Sequence, residues 1–273
     1  MIPASFDYVR AGSVDEAVAL LTEHGDDAKL LAGGHSLLPL MKLRLATPGV
    51  LIDVGRVADL SYIEARGDEI AIGALARHHD LETSSLLKDQ VPLLAYTAHQ
   101  VGDPQVRHRG TLGGTLAHGD PASDLPAAVL ALGGTLVAQG PDGRREIAAS
   151  DFFRGFLETA LAPDEMLVEI RVPKVPGAGW SFQKFNRRAQ DWAIVGVAAV
   201  LNGHAGIALV NMGSTPLRAA GVEEALRGGA TVSDAAAAAD EGTDPPSDIN
   251  ATSEYRRHLV TVLVRRALEE ATR

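Results

Sequence analysis

The chain has 273 residues, 46% of them hydrophobic, with 35 acidic against 25 basic side chains and a net charge of −10. That balance excludes general affinity for nucleic acid or for an anionic membrane surface, while the length allows two domains or one large one. Cysteine is absent, so the chain holds no disulfide, no thiolate metal site and no iron–sulfur cluster of its own.

The first residues carry no basic segment followed by an apolar stretch, and no apolar run approaches the ~18 residues that cross a bilayer, so the expectation is a cytoplasmic protein. Ser13-Val14-Asp15-Glu16 reads as a capping box opening a helix over 14–24, which Gly25 ends. Lys29-Leu30-Leu31-Ala32 is a short strand and Val50 to Val54 a buried one. A hairpin follows over 61–65 and 69–73, then a helix over 92–100. His78-His79 reads as a solvated loop, because adjacent side chains point apart and cannot share a metal. Ser123 or Asp124 caps a helix through Leu132, a second hairpin turns at Pro141-Asp142-Gly143, and 166–173 is a strand.

Pro173 to Gly179 is the best candidate linker. Beyond it, strands over 180–186, 194–201 and 206–211 predict a three-stranded antiparallel meander. Helices follow over 221–226, 233–241 and 253–271, the second built on the alanine run 235–239. The fold class is α+β.

Two glycine pairs carry the functional signal: Ala32-Gly33-Gly34-His35-Ser36 and Thr111-Leu112-Gly113-Gly114-Thr115. A glycine pair followed by a hydroxyl residue lets the backbone turn tightly and present bare N–H groups to phosphate oxygens. Two such nests suggest one pyrophosphate held from two sides. Neither the P-loop nor the Rossmann glycine pattern is present, and the nearest lysine after the first pair is Lys42. That favours a resident dinucleotide over a phosphate in transfer.

The segments 32–45 and 106–126 resemble the first and second flavin loops of the medium, FAD-binding subunit of molybdenum hydroxylases, the aerobic carbon-monoxide dehydrogenase type above all. Phe182 to Phe185, Asp191 to Val195 and Gly213 to Ala219 resemble its later segments, in the same order. The resemblance implies a two-lobed FAD-binding domain of the vanillyl-alcohol-oxidase (PCMH) type over 1–176, with lobes of about 1–56 and 57–176. A C-terminal α+β domain would cover 177–273. It further implies FAD on the two nests (Ala32 to Ser36 and Thr111 to Thr115), Asp124 on the ribityl chain or ring edge, and Lys184 and Trp192 near the isoalloxazine. Leu161 and Leu167 would line the cofactor channel. Thr115 stands where Asn or Ser is frequent, and Trp192 where Tyr is found.

Each of these residues also has a plain structural role open to it. Asp124 serves equally as a helix cap, Lys184 as a solvated strand residue and Trp192 as core. By the resemblance the flavin is noncovalent. Molybdenum-pterin and two [2Fe–2S] clusters would sit on partner subunits, in a dimer of heterotrimers that passes electrons from clusters through FAD to an external acceptor. No catalytic side chain and no metal ligand is assigned to this chain, and contact with a membrane through the complex is left open. The alternative is a stand-alone PCMH-type flavin oxidase or reductase with FAD bonded to His35.

Overall fold

A computed structural model describes residues 2–273, which form three successive sheet-centred units. In the first, β1 (Asp7–Arg10), α1 (Val14–His24), β2 (Ala28–Leu31), α2 (Leu37–Leu43) and β3 (Val50–Asp53) build a parallel sheet of order β1-β3-β2. The Ser13 side chain accepts from the Glu16 amide at 3.1 Å, and Glu16 reaches back to the Gly12 amide at 2.7 Å. This box directs Ala17, Val18 and Leu21 onto the sheet.

The second unit is a sheet of order β4-β5-β10-β6-β7 with helices packed on it. Its elements are β4 (Ile63–Arg66), β5 (Glu69–Gly73), α3 (His78–Thr83), α4 (Ser85–Gln90), α5 (Pro92–His99), α6 (Pro104–Arg107), α7 (Leu112–His118) and α8 (Asp124–Ala131). They continue with β6 (Thr135–Gly140), β7 (Gly143–Ala148), α9 (Ala149–Phe152), a small ribbon of β8 (Phe153–Gly155) and β9 (Glu158–Thr159), and β10 (Met166–Pro173). The segment read as a solvated loop is the start of α3, and His78 is buried there. Its ring lies under the loop backbone at Gly110, a long-range contact that local pattern does not reveal.

The third unit holds β11 (Gly179–Phe185), β12 (Val195–Leu201), β13 (Ala205–Val210) and a two-residue β14 (Leu217–Arg218), then α10 (Ala220–Arg227), α11 (Val232–Ala236) and α12 (Ser253–Ala271). The expected meander thus gains a short fourth strand. In β12, Val195, Val197 and Ala199 face the core under α12, while Ala198 and Val200 face the core shared with α5 and α8. Burial on both faces explains why this strand reads as an unbroken apolar run. α11 stops at Ala236, short of the expected 241, and the chain continues as turns with Ala239 still buried. Packing against α12 overrides the helix propensity of alanine here. The expected linker is tied down: the Val175 amide donates to the Gln90 carbonyl at 2.8 Å, and Val175 is buried.

Arg256, on α12, is wholly buried. Its guanidinium donates to the Ile194 carbonyl and, at 2.7 Å, to Asp248. Burial pushes the Asp248 carboxyl up, but the amides of Asn250 and Ala251 and the Arg256 charge together hold it below the usual carboxylate range. A depressed folded-state pKa contributes stability above the ordinary carboxylate pKa and loses it as pH falls through the lowered value. Asp248 is itself exposed and solvent screens part of the pair, so Asp248→Asn should cost about 1–2 kcal/mol at pH 7. The gap from wild type should narrow near pH 3, as read by denaturant melts at both pH values.

Candidate dinucleotide site

The first glycine pair follows β2 at the C-terminal edge of the parallel sheet. The amides of Gly33, Gly34, His35, Ser36 and Leu37 find no acceptor among the described residues, and the next amide, Leu38, donates to the Gly34 carbonyl at 3.0 Å. Gly34 has φ +78°, which suits glycine. A Cβ on Gly33 would sit 2.1 Å from the Arg109 carbonyl oxygen, so only glycine permits the two loops to meet. This run of bare amides beside a cradle closed to side chains fits a diphosphate.

The second pair differs from what the sequence suggests. It is the first turn of α7, and its amides are used internally. Leu112 donates to Ala76 and Gly113 to Ala74, both at 2.9 Å, Gly114 to the Thr111 hydroxyl at 3.1 Å, and Thr115 to the Thr111 carbonyl at 3.1 Å. Gly113 is needed for packing, since a Cβ there would lie 2.5–2.9 Å from Ala74. Sequence alone shows a glycine pair but not which acceptors its amides will meet.

Ala32, Gly33, Arg109 and Thr111 line one cleft of about 500 Å³. The loop carrying Arg109 is fixed at its base by Glu82 on α3. The Arg107 Nε lies 2.8 Å from one Glu82 oxygen, an ion pair without an aligned hydrogen bond, and His99 and His79 approach the two oxygens at 3.1 and 3.0 Å. These partners hold the Glu82 carboxyl below its ordinary range against the upward push of burial. Nothing in the local sequence marks Glu82. Nearby, burial first, then the charges of His35 and Arg107, bring His78 down to about 4, so it is neutral. His35 itself is exposed.

Asp124 and Lys184 come together from α8 and β11. The Lys184 ammonium donates to Asp124 Oδ2 at 2.7 Å and to the Gln100 carbonyl at 3.0 Å, and both side chains are 6% exposed. Lys184 is therefore no solvated residue, and Asp124 makes no capping bond to α8. Burial pushes the Asp124 carboxyl up to about 6, opposed by Lys184; its other oxygen, Oδ1, is buried and unpartnered. Leu167 lies in the core and Leu161 packs half-buried against it. Trp192 is 69% exposed, which removes the core role. It lines a second cleft of about 920 Å³ with Asp120, Ala122, Phe156 and Asn211; the end of the segment 106–126 borders this cleft, while residues 32–36 and 111–115 do not.

Two family models match the chain: the FAD binding domain in molybdopterin dehydrogenase over residues 4–175, and the CO dehydrogenase flavoprotein C-terminal domain over residues 180–271. The chain belongs to this family of FAD-binding oxidoreductase subunits, and the fold is the α+β one that the resemblance implied. It is 43% identical to the carbon monoxide dehydrogenase medium chain of Hydrogenophaga pseudoflava, over 99% of this chain and 98% of that one. It is 37% identical to the glyceraldehyde dehydrogenase medium chain of Sulfolobus acidocaldarius, over 99% of each. The solved carbon monoxide dehydrogenase of H. pseudoflava superposes with a TM-score of 0.97 at 45% identity, covering 100% of this chain and 99% of that one.

Removing the Lys184 cation should strand a buried carboxylate. Lys184→Met should cost about 3–5 kcal/mol at pH 8. A raised folded-state pKa makes the protonated form of Asp124 the tolerated one, so the loss should be smaller at pH 5, where Asp124 is neutral. Asp124→Asn in the same chain should restore part of the stability at pH 8, as measured by urea titration.

Proposed function

We propose that this chain is the FAD-carrying electron-transfer subunit of a three-subunit molybdenum hydroxylase. The observation that carries the reading is the unpaired amide run 33–37, closed on one side by the Arg109 carbonyl. In this reading those amides hold the FAD diphosphate, with Ala32 and Thr111 on the walls of the same cleft. Asp124 Oδ1 offers an acceptor toward the ribityl or ring edge, and Lys184 fixes that carboxylate. Residues 1–176 form the flavin-binding domain, with 177–273 packed against it as a C-terminal domain. When bound, FAD would supply electron transfer between iron–sulfur centres of a partner and an external acceptor, with residues 33–37, Asp124 and Lys184 holding it.

The protein's own part is to bind the cofactor, orient it and exclude other chemistry. With no cysteine in the chain, the [2Fe–2S] clusters belong to a small partner and the molybdenum cofactor to a large one. Substrate choice rests with the molybdenum subunit. Relatives named for carbon monoxide and for glyceraldehyde align along 99% of this chain, which supports a carrier that does not select the substrate.

The purified chain should be yellow, and acid precipitation should release its flavin into solution. It should copurify with a cysteine-rich subunit and a molybdenum subunit, and alone it should oxidise no aldehyde. Flavin retained by the precipitate, or aldehyde turnover without molybdenum, would favour a self-contained oxidase with covalent FAD at His35. Gly33→Ala should force the loops apart, costing about 1–3 kcal/mol of stability and most of the FAD affinity. A folded Gly33→Ala chain with full flavin content would remove the first nest from the site.

A further inference from the structure

The loop between β11 and β12 carries Trp192, and the turn before α8 carries Asp120 to Ala122; the two meet at the second cleft. Asn211, the first residue after β13, is bonded to both. Its amide donates to the Pro121 carbonyl at 2.8 Å, and its side-chain Nδ2 donates to the Ala193 carbonyl at 2.9 Å. It does so at φ +62°, a left-handed conformation in which glycine is at ease and asparagine is tolerated. A non-glycine residue persists there where the surrounding structure over-determines it, often beside a functional site.

The two bonds of Asn211 close a circuit. Lys184 on β11 donates to Asp124, and the next residue along, Phe185, accepts from the Ile194 amide at 2.7 Å. Ala193, beside Ile194, accepts from Asn211, and Asn211 in turn holds Pro121, three residues before Asp124. The turn between is stiff: the Ala122 amide donates to the Asp120 carboxylate at 2.9 Å, and the Ser123 amide to the Asp120 carbonyl at 3.0 Å. Arg256 holds the Ile194 carbonyl from α12. Trp192, 69% exposed, has little packing of its own. Its place is set by the backbone at Ala193, and the Asn211 side chain pins that backbone.

We propose that Asn211 is a positioning residue for the flavin: by holding the Ala193 carbonyl it fixes the Trp192 indole relative to Asp124, so that both meet the ring end of the cofactor. The inference rests on the FAD reading above and deepens it with a residue that touches no cofactor atom. A plain turn residue at φ +62° would need only its backbone, and glycine would serve there as well or better. The positioning role needs the side-chain N–H as well.

The test uses the full chain and Asn211→Gly, which keeps the left-handed backbone and the amide bond to Pro121 while deleting the bond to Ala193. Its melting temperature should stay close to that of wild type. The chain has two tryptophans, so a Trp180→Phe background leaves Trp192 as the sole indole emitter. There, Asn211→Gly should increase the fast local depolarisation of Trp192 in the flavin-free chain. FAD titration should show a loss of about fivefold in affinity, the worth of one hydrogen bond. Asn211→Asp, which turns an acceptor toward the Ala193 carbonyl, should lose at least as much. In a Trp192→Ala background, adding Asn211→Gly should change FAD affinity by less than about twofold, because coupled residues are non-additive.

Unchanged Trp192 depolarisation and FAD affinity in a folded Asn211→Gly chain overturn the inference and leave the FAD reading intact. A loosened Trp192 with full FAD affinity makes Asn211 a structural tie and likewise overturns it. So does an equal loss of FAD affinity with and without Trp192, since Asn211 would then act by another route. A wild-type chain that binds no FAD overturns the FAD reading, and this inference falls with it.

Discussion

The close approach of Gly33 to the Arg109 carbonyl is the contact on which the rest of the site depends. Backbone amides offer a diphosphate only partial charges, so they must converge, and convergence requires loops distant in sequence to touch without side chains between them. The parallel sheet fixes one loop through β2. Glu82 fixes the other through Arg107, with His79 and His99 completing the hub. A rigid frame thus surrounds a segment whose own amides are unpaired. Such unpaired groups are costly when buried and useful when a ligand completes them.

The same division of labour runs through the electrostatics. Lys184 with Asp124 is buried on both sides, and Arg256 is buried against an exposed Asp248; both pairs tie elements of the fold to each other. Four arginines that line the cleft beside the first glycine pair, Arg10, Arg56, Arg77 and Arg109, are exposed and lie in no ion pair among the described residues. Buried pairs of this kind contribute little net stability but penalise any arrangement that separates them. Exposed unpaired charges are free to meet an anion.

Much of the fold was legible because local chemistry and tertiary demand agree. Ser13 and Glu16 cap α1, and the apolar run 194–201 is a strand buried on both faces. The first glycine pair was legible as a nest because Gly34 takes a left-handed conformation that the sequence permits. What stayed hidden depends on partners far along the chain. The second pair resembles the first in sequence, yet Ala74 and Ala76 accept its amides. Asp124 looks like a helix cap until Lys184 arrives from β11. Trp192 could be core by composition, and the structure leaves it exposed at a different cleft. Arg10, Arg56, Arg77 and Arg109 carry no motif at all; the strand ends of the first sheet and the loops before α3 and α7 together bring them to one cleft.

Hydrogen–deuterium exchange of the full chain, with and without FAD, tests the central claim most directly. Amides 33–37 should exchange freely in the stripped chain and slow by roughly tenfold or more when FAD binds, as each gains a phosphate acceptor. Amides 112–115, already bonded within the protein, should be protected in both states. Equal exchange at 33–37 in the two states, in a chain that has taken up FAD, would contradict the account.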